Sequence, residues 1–190
     1  MSEIKRRNKN NRKRGSKFEK VTADYLGMEV VPYSGSNDRF GYGDVKHPYW
    51  LGECKNISLT VRAMGDMIII KQEWIDDIMR RAKDVTKLPF VSFMAATRSE
   101  KFIILPYEYI NSYMSPKQKV LSLELEIHES TVVNWCLKYD SIVKYIKIGT
   151  IGLVIKTGRI DDIIDDKNRI FIMRIETLKD VIMPYVHDKH

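Results

Sequence analysis

Cysteine is scarce in this chain. Cys54 and Cys136 are the only two among 190 residues, and neither stands in a CxxC or CxxH pair. A structural zinc site, which needs four closely spaced nitrogen or sulfur ligands, is therefore not expected. Long apolar runs are missing too. No stretch approaches the roughly 18 residues of a membrane-spanning helix, so no membrane partner is expected. The first residues carry charge with no apolar stretch behind it, unlike a secretion signal. Both observations favour reduced thiols in a cytoplasmic protein, or one of the host cytoplasm if the source is viral. The composition, 44% hydrophobic and 30% charged, excludes a disordered or fibrous chain, and the length suffices for one sizeable core.

Acid is what the opening segment lacks. Lys5, Arg6, Arg7, Lys9, Arg12, Lys13, Arg14 and Lys17 crowd it, with Glu3 as the only acid and Asn8, Asn10 and Asn11 in the gaps. Nothing apolar is available to fold around, so residues 1–15 read as a flexible basic arm. Such an arm neutralises phosphates and gains affinity by releasing counterions; the plainer alternative is a solubilising tail. The whole chain, at +7 with a pI near 9.3, points to a polyanionic partner.

Order is expected from Ser16. Ser16 and Glu19 form a capping-box pattern, and Phe18, Val21, Thr22 and Tyr25 recur at helical spacing, predicting a helix over Lys17 to Leu26 stopped by Gly27. Glu29 to Tyr33 reads as a strand, followed by a glycine- and serine-rich loop through Gly43. Asp44 to Lys46 and Trp50 to Asn56 read as a hairpin around His47-Pro48-Tyr49. The pattern between Ile57 and Gly65 is indistinct. An amphipathic helix follows over about Ile69 to Val85, then strands at Phe90 to Ala95 and Phe102 to Leu105, and a helix at Glu108 to Met114. After a boundary near Ser115-Pro116-Lys117, residues 116–190 read as an α/β extension: strand Val120 to Ile127, helix Ser130 to Tyr145, strands Ile151 to Lys156 and Arg169 to Ile175, and a closing helix Thr177 to Tyr185. The expected fold is α/β (α+β), a mixed central sheet flanked by helices over 16–115 with that extension.

The chemistry is concentrated in Gly43-Asp44-Val45 and Glu53-Cys54-Lys55. Eight residues separate Asp44 from Glu53. Strand periodicity puts Glu53 and Lys55 on one face and Cys54 on the other. In a hairpin, Asp44 approaches Glu53, and two converging carboxylates repel unless a cation lies between them. Few oxygen ligands completed by water suit Mg²⁺, which polarises a phosphodiester and activates a water. Lys55 is placed to orient that water or to stabilise charge growing on the phosphate. The surrounding run, "YWLGECKN", is otherwise apolar, so the pair interrupts a core-like strand and does not continue a polar face.

These motifs resemble the PD-(D/E)xK, or restriction-endonuclease-like, nuclease superfamily, and within it the archaeal and phage-type Holliday junction resolvases. The likeness covers roughly Arg14 to Ile110. "RKRGSKFEKVTADYL" is similar to the opening helix, which implies a metal-site role for Glu19. "VVPYSGS" resembles the strand and serine loop, implying DNA-backbone contacts from Ser34 and Ser36. "GYGDV" and "GECK" match the metal aspartate and the ExK pair, Asp44, Glu53 and Lys55. "IIIKQEWIDDIMRRA" resembles the next helix, implying that Gln72 projects toward the site. The resemblance implies a Mg²⁺-dependent endodeoxyribonuclease, with Mn²⁺ able to substitute, acting on DNA branched as a four-way junction in recombination and repair. Symmetric cutting of two strands implies a homodimer. Restriction- or repair-type cleavage of other DNA structures, and a non-catalytic DNA-binding module on the same scaffold, are the alternatives. The family's resolvases are usually shorter and do not account for residues 116–190.

Bland readings hold elsewhere. Glu19 has a rival role as the capping residue of Ser16. Asp76 and Asp77 stand four residues before Arg80 and Arg81, the spacing of solvated ion pairs. His47 reads as a turn residue, Trp74 as core, Asp38 as a weaker metal candidate than Asp44, and the acids from Asp161 to Asp166 as a solvated turn. Arg39 and Tyr42 flank the loop and are candidates for DNA contact.

Overall fold

The computed structural model describes residues 3–32, 43–62, 65–106, 109, 134–146, 153–156 and 169–187. Helix α1 (Glu3–Leu26) leads into β1 (Glu29–Val30), β2 (Val45–Lys46), β3 (Trp50–Ile57), β4 (Thr60–Arg62) and β5 (Gly65–Lys71). Helix α2 (Gln72–Asp84), β6 (Leu88–Ala95) and β7 (Lys101–Pro106) follow. The C-terminal part supplies β8 (Asn134–Lys138), α3 (Tyr139–Tyr145), β9 (Leu153–Lys156) and β10 (Arg169–Arg174). A helical run closes the chain, as α4 (Ile175–Thr177), a π-helical stretch (Leu178–Ile182) and α5 (Met183–His187).

Seven strands form one mixed sheet in the order β1-β2-β3-β6-β7-β10-β9. Only β3 and β6 pair in parallel, from Trp50↔Leu88 to Ile57↔Ala95; the other neighbours are antiparallel. A parallel pair needs a crossover, here supplied by β4, β5 and α2. The second sheet, β4-β5-β8, has three strands.

Helices cover both faces of the main sheet, which explains why its strands read as continuous apolar runs. Phe18 and Leu26 of α1 pack on Trp50, Phe90, Ile103 and Phe171, joined by Leu178 and Ile182 of the closing run. The other side gathers Leu51, Val91, Phe93, Ile104 and Ile172 against Ile75, Ile78 and Ala82 of α2. Successive residues of β10 divide between the two sides, Ile170 and Ile172 on one, Phe171 and Met173 on the other, as a pleated strand requires.

Several expectations are corrected. The basic segment expected as a flexible arm is helical, because α1 starts at Glu3 and runs unbroken to Leu26. Ser16 lies inside that helix and is not its N-cap. Lysines and arginines propagate a helix well once a packed segment has paid nucleation, and Phe18 to Leu26 is that segment. Ile69 to Lys71, expected to open the second helix, belong to β5; α2 begins at Gln72. Asn134 to Lys138, expected as helix, form β8 on the edge of β5. The residues beyond 115 are an extension in sequence only, since β10 pairs along β7 from Ile170↔Pro106 to Arg174↔Phe102. The helix at Glu108 to Met114, the strand at Val120 to Ile127 and the loop acids from Asp161 to Asp166 lie outside the described residues, apart from Tyr109.

Candidate active site

The site starts with an interrupted ladder. β2 and β3 pair through Val45↔Gly52 and Lys46↔Leu51, and Asp44 N–H donates to the Gly52 carbonyl at 2.8 Å. One step on, the Cys54 N–H donates to Asp44 Oδ2 at 2.7 Å. A side-chain oxygen thus replaces the backbone acceptor at the end of the ladder and fixes the Asp44 carboxylate against β3. Two glycines permit the approach. Gly43 has φ +68°, and a Cβ there would lie 2.7 Å from the Gly52 carbonyl oxygen. At Gly52 a Cβ would fall 2.1 Å from the Phe90 ring, so glycine is needed where β3 passes that side chain.

Beyond Gly52 the strand's alternation sorts the chemistry. Cys54 faces the α1 side, buried beside Phe18 and Trp50. Burial, and next the charge of Asp44, push its thiol well above the ordinary value, so it stays protonated and is no nucleophile. Glu53 and Lys55 share the opposite side with Leu51 and Ile57, where α2 packs. Lys55 Nζ donates to Glu53 Oε1 at 2.5 Å and lies 5.6 Å from the Trp74 ring centroid. Glu53 retains 15% of its side-chain exposure and Lys55 28%.

Glu19 reaches the same charge field from α1, one position after the buried Phe18. Burial raises its carboxyl pKa, and the charges of Asp44 and Glu53 raise it further against a lowering by Lys55. Glu53 is also raised, first by burial and then by Asp44, and is held down by Lys55 and Arg81. The charge of Asp44 thus raises both Glu19 and Glu53, Glu53 also raises Glu19, and the Lys55 ammonium lowers both. Among the described residues, no group of three or more His, Cys, Asp or Glu side chains is placed to hold a metal ion, so Glu19, Asp44 and Glu53 share an electrostatic field without converging as a ligand set.

Arg81 was read from spacing as a solvated ion-pair partner, and it does pair with Asp77. It also lies 3.7 Å from Glu53 Oε2, with 21% of its side chain exposed. The signal was present: Arg81 follows Ile78 by three residues, so it shares the face of α2 that lies on β3. Arg80 pairs with Asp77 at 2.5 Å. Asp76 instead accepts from Gln72 Nε2 at 2.7 Å, so the Gln72 amide, in the first turn of α2, is engaged with its own helix. His47 is a turn residue, exchanging backbone hydrogen bonds with Trp50, and Trp74 packs against the core while partly exposed.

Of the expected DNA contacts, Arg12, Lys13, Arg14 and Lys17 are exposed on α1. Lys5, Arg6 and Arg7 lie on the same helix, in the part whose side chains are not described. Ser34, Ser36, Asp38, Arg39 and Tyr42 lie outside the described residues. No described helix is long and apolar enough to cross a membrane. No family model matches the chain, and no curated protein or solved structure shows significant similarity to it.

Proposed function

We propose that the chain is a Mg²⁺-dependent endodeoxyribonuclease of the PD-(D/E)xK type, directed at branched DNA. The observation that supports this reading is the pairing of Lys55 with Glu53 on β3 beside the anchored Asp44 carboxylate, with the charges of Asp44 and Glu53 also acting on Glu19. A protein that only bound DNA would gain nothing from acids placed near a phosphate.

Asp44, anchored through Oδ2, and Glu53, braced by Lys55 and Arg81, are the residues that would hold the cation, with Glu19 in the same charge field. Bound there, Mg²⁺ or Mn²⁺ would polarise the phosphodiester and lower the pKa of a bound water. Lys55 offers its ammonium to the phosphate oxygens, where charge grows in the transition state. Arg81 restrains Glu53 so that the carboxylate does not turn to follow Lys55. Gln72, whose amide donates to Asp76 of its own helix, has no part in this reading. Exposed lysines and arginines of α1, with Ser34, Ser36 and Arg39, grip the backbone and carry no sequence information. Paired cuts in two strands call for a homodimer.

A labelled four-way junction and a matched linear duplex, each with Mg²⁺ and with EDTA, test the reading. Paired symmetric nicks in the junction alone, abolished by EDTA, are expected. Cleavage of both substrates would keep the nuclease and remove the junction preference. Binding without cutting in Mg²⁺ or Mn²⁺ would leave a scaffold that only binds.

A further inference from the structure

Helix α1 extends beyond the body of the protein, with residues 9–14 exposed without interruption and burial beginning at Phe18. At 3.6 residues per turn, Phe18, Thr22 and Leu26 line the side that packs on the sheet. Lys9, Lys13, Lys17 and Lys20 follow one another at intervals of four and three on the solvent side. Arg12 stands at the border of that strip, seven residues before Glu19. Seven residues are two turns, so Arg12 lies in line with Glu19, about 10 Å away along the axis. Among the described residues, none of these five cations has an acidic partner.

We infer that the exposed half of α1 is a rigid phosphate rail, along which the backbone of a DNA duplex runs out from the acid site, with Arg12 on a phosphate about three nucleotides from the reacting one. That interval follows from the helix rise and the roughly 3.4 Å advance per nucleotide of duplex. The inference rests on the nuclease reading for the choice of DNA, and it differs from a flexible arm in one respect. A flexible arm contributes charge regardless of direction. A rail contributes only while its cations keep their angle to Glu19.

The test is fluorescence anisotropy of the full chain with a labelled duplex, in EDTA, across a salt series. Cutting therefore does not enter the measurement. Arg12→Gln is expected to lower the slope of log affinity against log salt by about 0.9, the value of one phosphate contact. Inserting one alanine between Arg14 and Gly15 keeps every charge and turns the preceding cations by about 100°; it is expected to lower the slope at least as much. Four inserted alanines bring them back to within about 40° and are expected to restore most of it. Circular dichroism confirms that each variant is folded, and Arg12→Gln, at an exposed position, keeps the test readable if an insertion misfolds. An Arg12→Gln slope equal to the parent's, a one-residue insertion that binds like the parent, or no duplex binding by the parent would each overturn the rail. Cleavage in Mg²⁺ is scored separately, so a failed rail on an active nuclease and an intact rail on an inactive one are distinguishable.

Discussion

At the scale of single residues, the site is a balance of repulsion and restraint. Glu19 and Glu53 are both pushed above the ordinary carboxylate range, by burial first and by neighbouring acids second. A carboxyl raised in the folded state favours its neutral form there. Its contribution to stability is therefore present below the ordinary carboxylate value and is lost as pH rises through the raised one. Above that window, at neutral pH, the charge on these carboxylates opposes folding. Glu19→Gln should raise the metal-free Tm at pH 7, leave it little changed near pH 4, and shrink the further rise that Mg²⁺ gives the parent. Thermal melts with EDTA and with Mg²⁺ check this, and a lower metal-free Tm in the variant would contradict it. Gly52 belongs to the same scale. Gly52→Ala forces a Cβ into the Phe90 ring and should cost about 2 kcal/mol, read by urea denaturation; an unchanged midpoint would contradict the packing.

At the scale of elements, the sequence made the β2–β3 hairpin and the shared face of Glu53 and Lys55 legible, because period-two alternation and a turn at His47-Pro48 are local signals. It misled where two periodicities overlapped. "GDMIIIKQEWIDDIMRRA" presents an apolar run that merges into a helical pattern, and only pairing with β4 and β8 marks Gly65–Lys71 as a strand. The strand makes its own prediction. Ile68 and Ile70 are buried and Ile69 is only partly so, so alanine at 68 or 70 should cost about 2–5 kcal/mol and alanine at 69 clearly less. Equal losses at 68 and 69 in chemical denaturation would contradict the alternation. α1 misled for another reason. Its first half has nothing to bury, and a pattern method reads that as absence of structure. A helix nucleated by packing at Phe18 and beyond extends through polar residues that suit it.

At the scale of the whole molecule, the part beyond residue 115 is bound into the core. β10 lies between β7 and β9, and the closing helical run covers Ile103 and Leu105. No periodicity in the sequence could announce this, since the pairing of Ile172 with Ile104 is long-range. A fragment ending at residue 115 would expose one edge of β7 and much of one sheet face. It should not give a cooperative thermal transition, whereas the full chain should; a cooperative melt of the fragment would show that the sheet stands without β10.

The central claim is that Asp44, Glu53 and their neighbours form a hydrolytic centre. Single-turnover cleavage of a labelled four-way junction in Mg²⁺, by the parent and by Asp44→Asn and Glu53→Gln, tests it most directly. The account predicts loss of at least about a hundredfold in rate for each variant, of the order seen when one transition-state-stabilising group is removed, with the far-ultraviolet circular dichroism of the parent and junction binding retained. Full cleavage by either folded variant would contradict it.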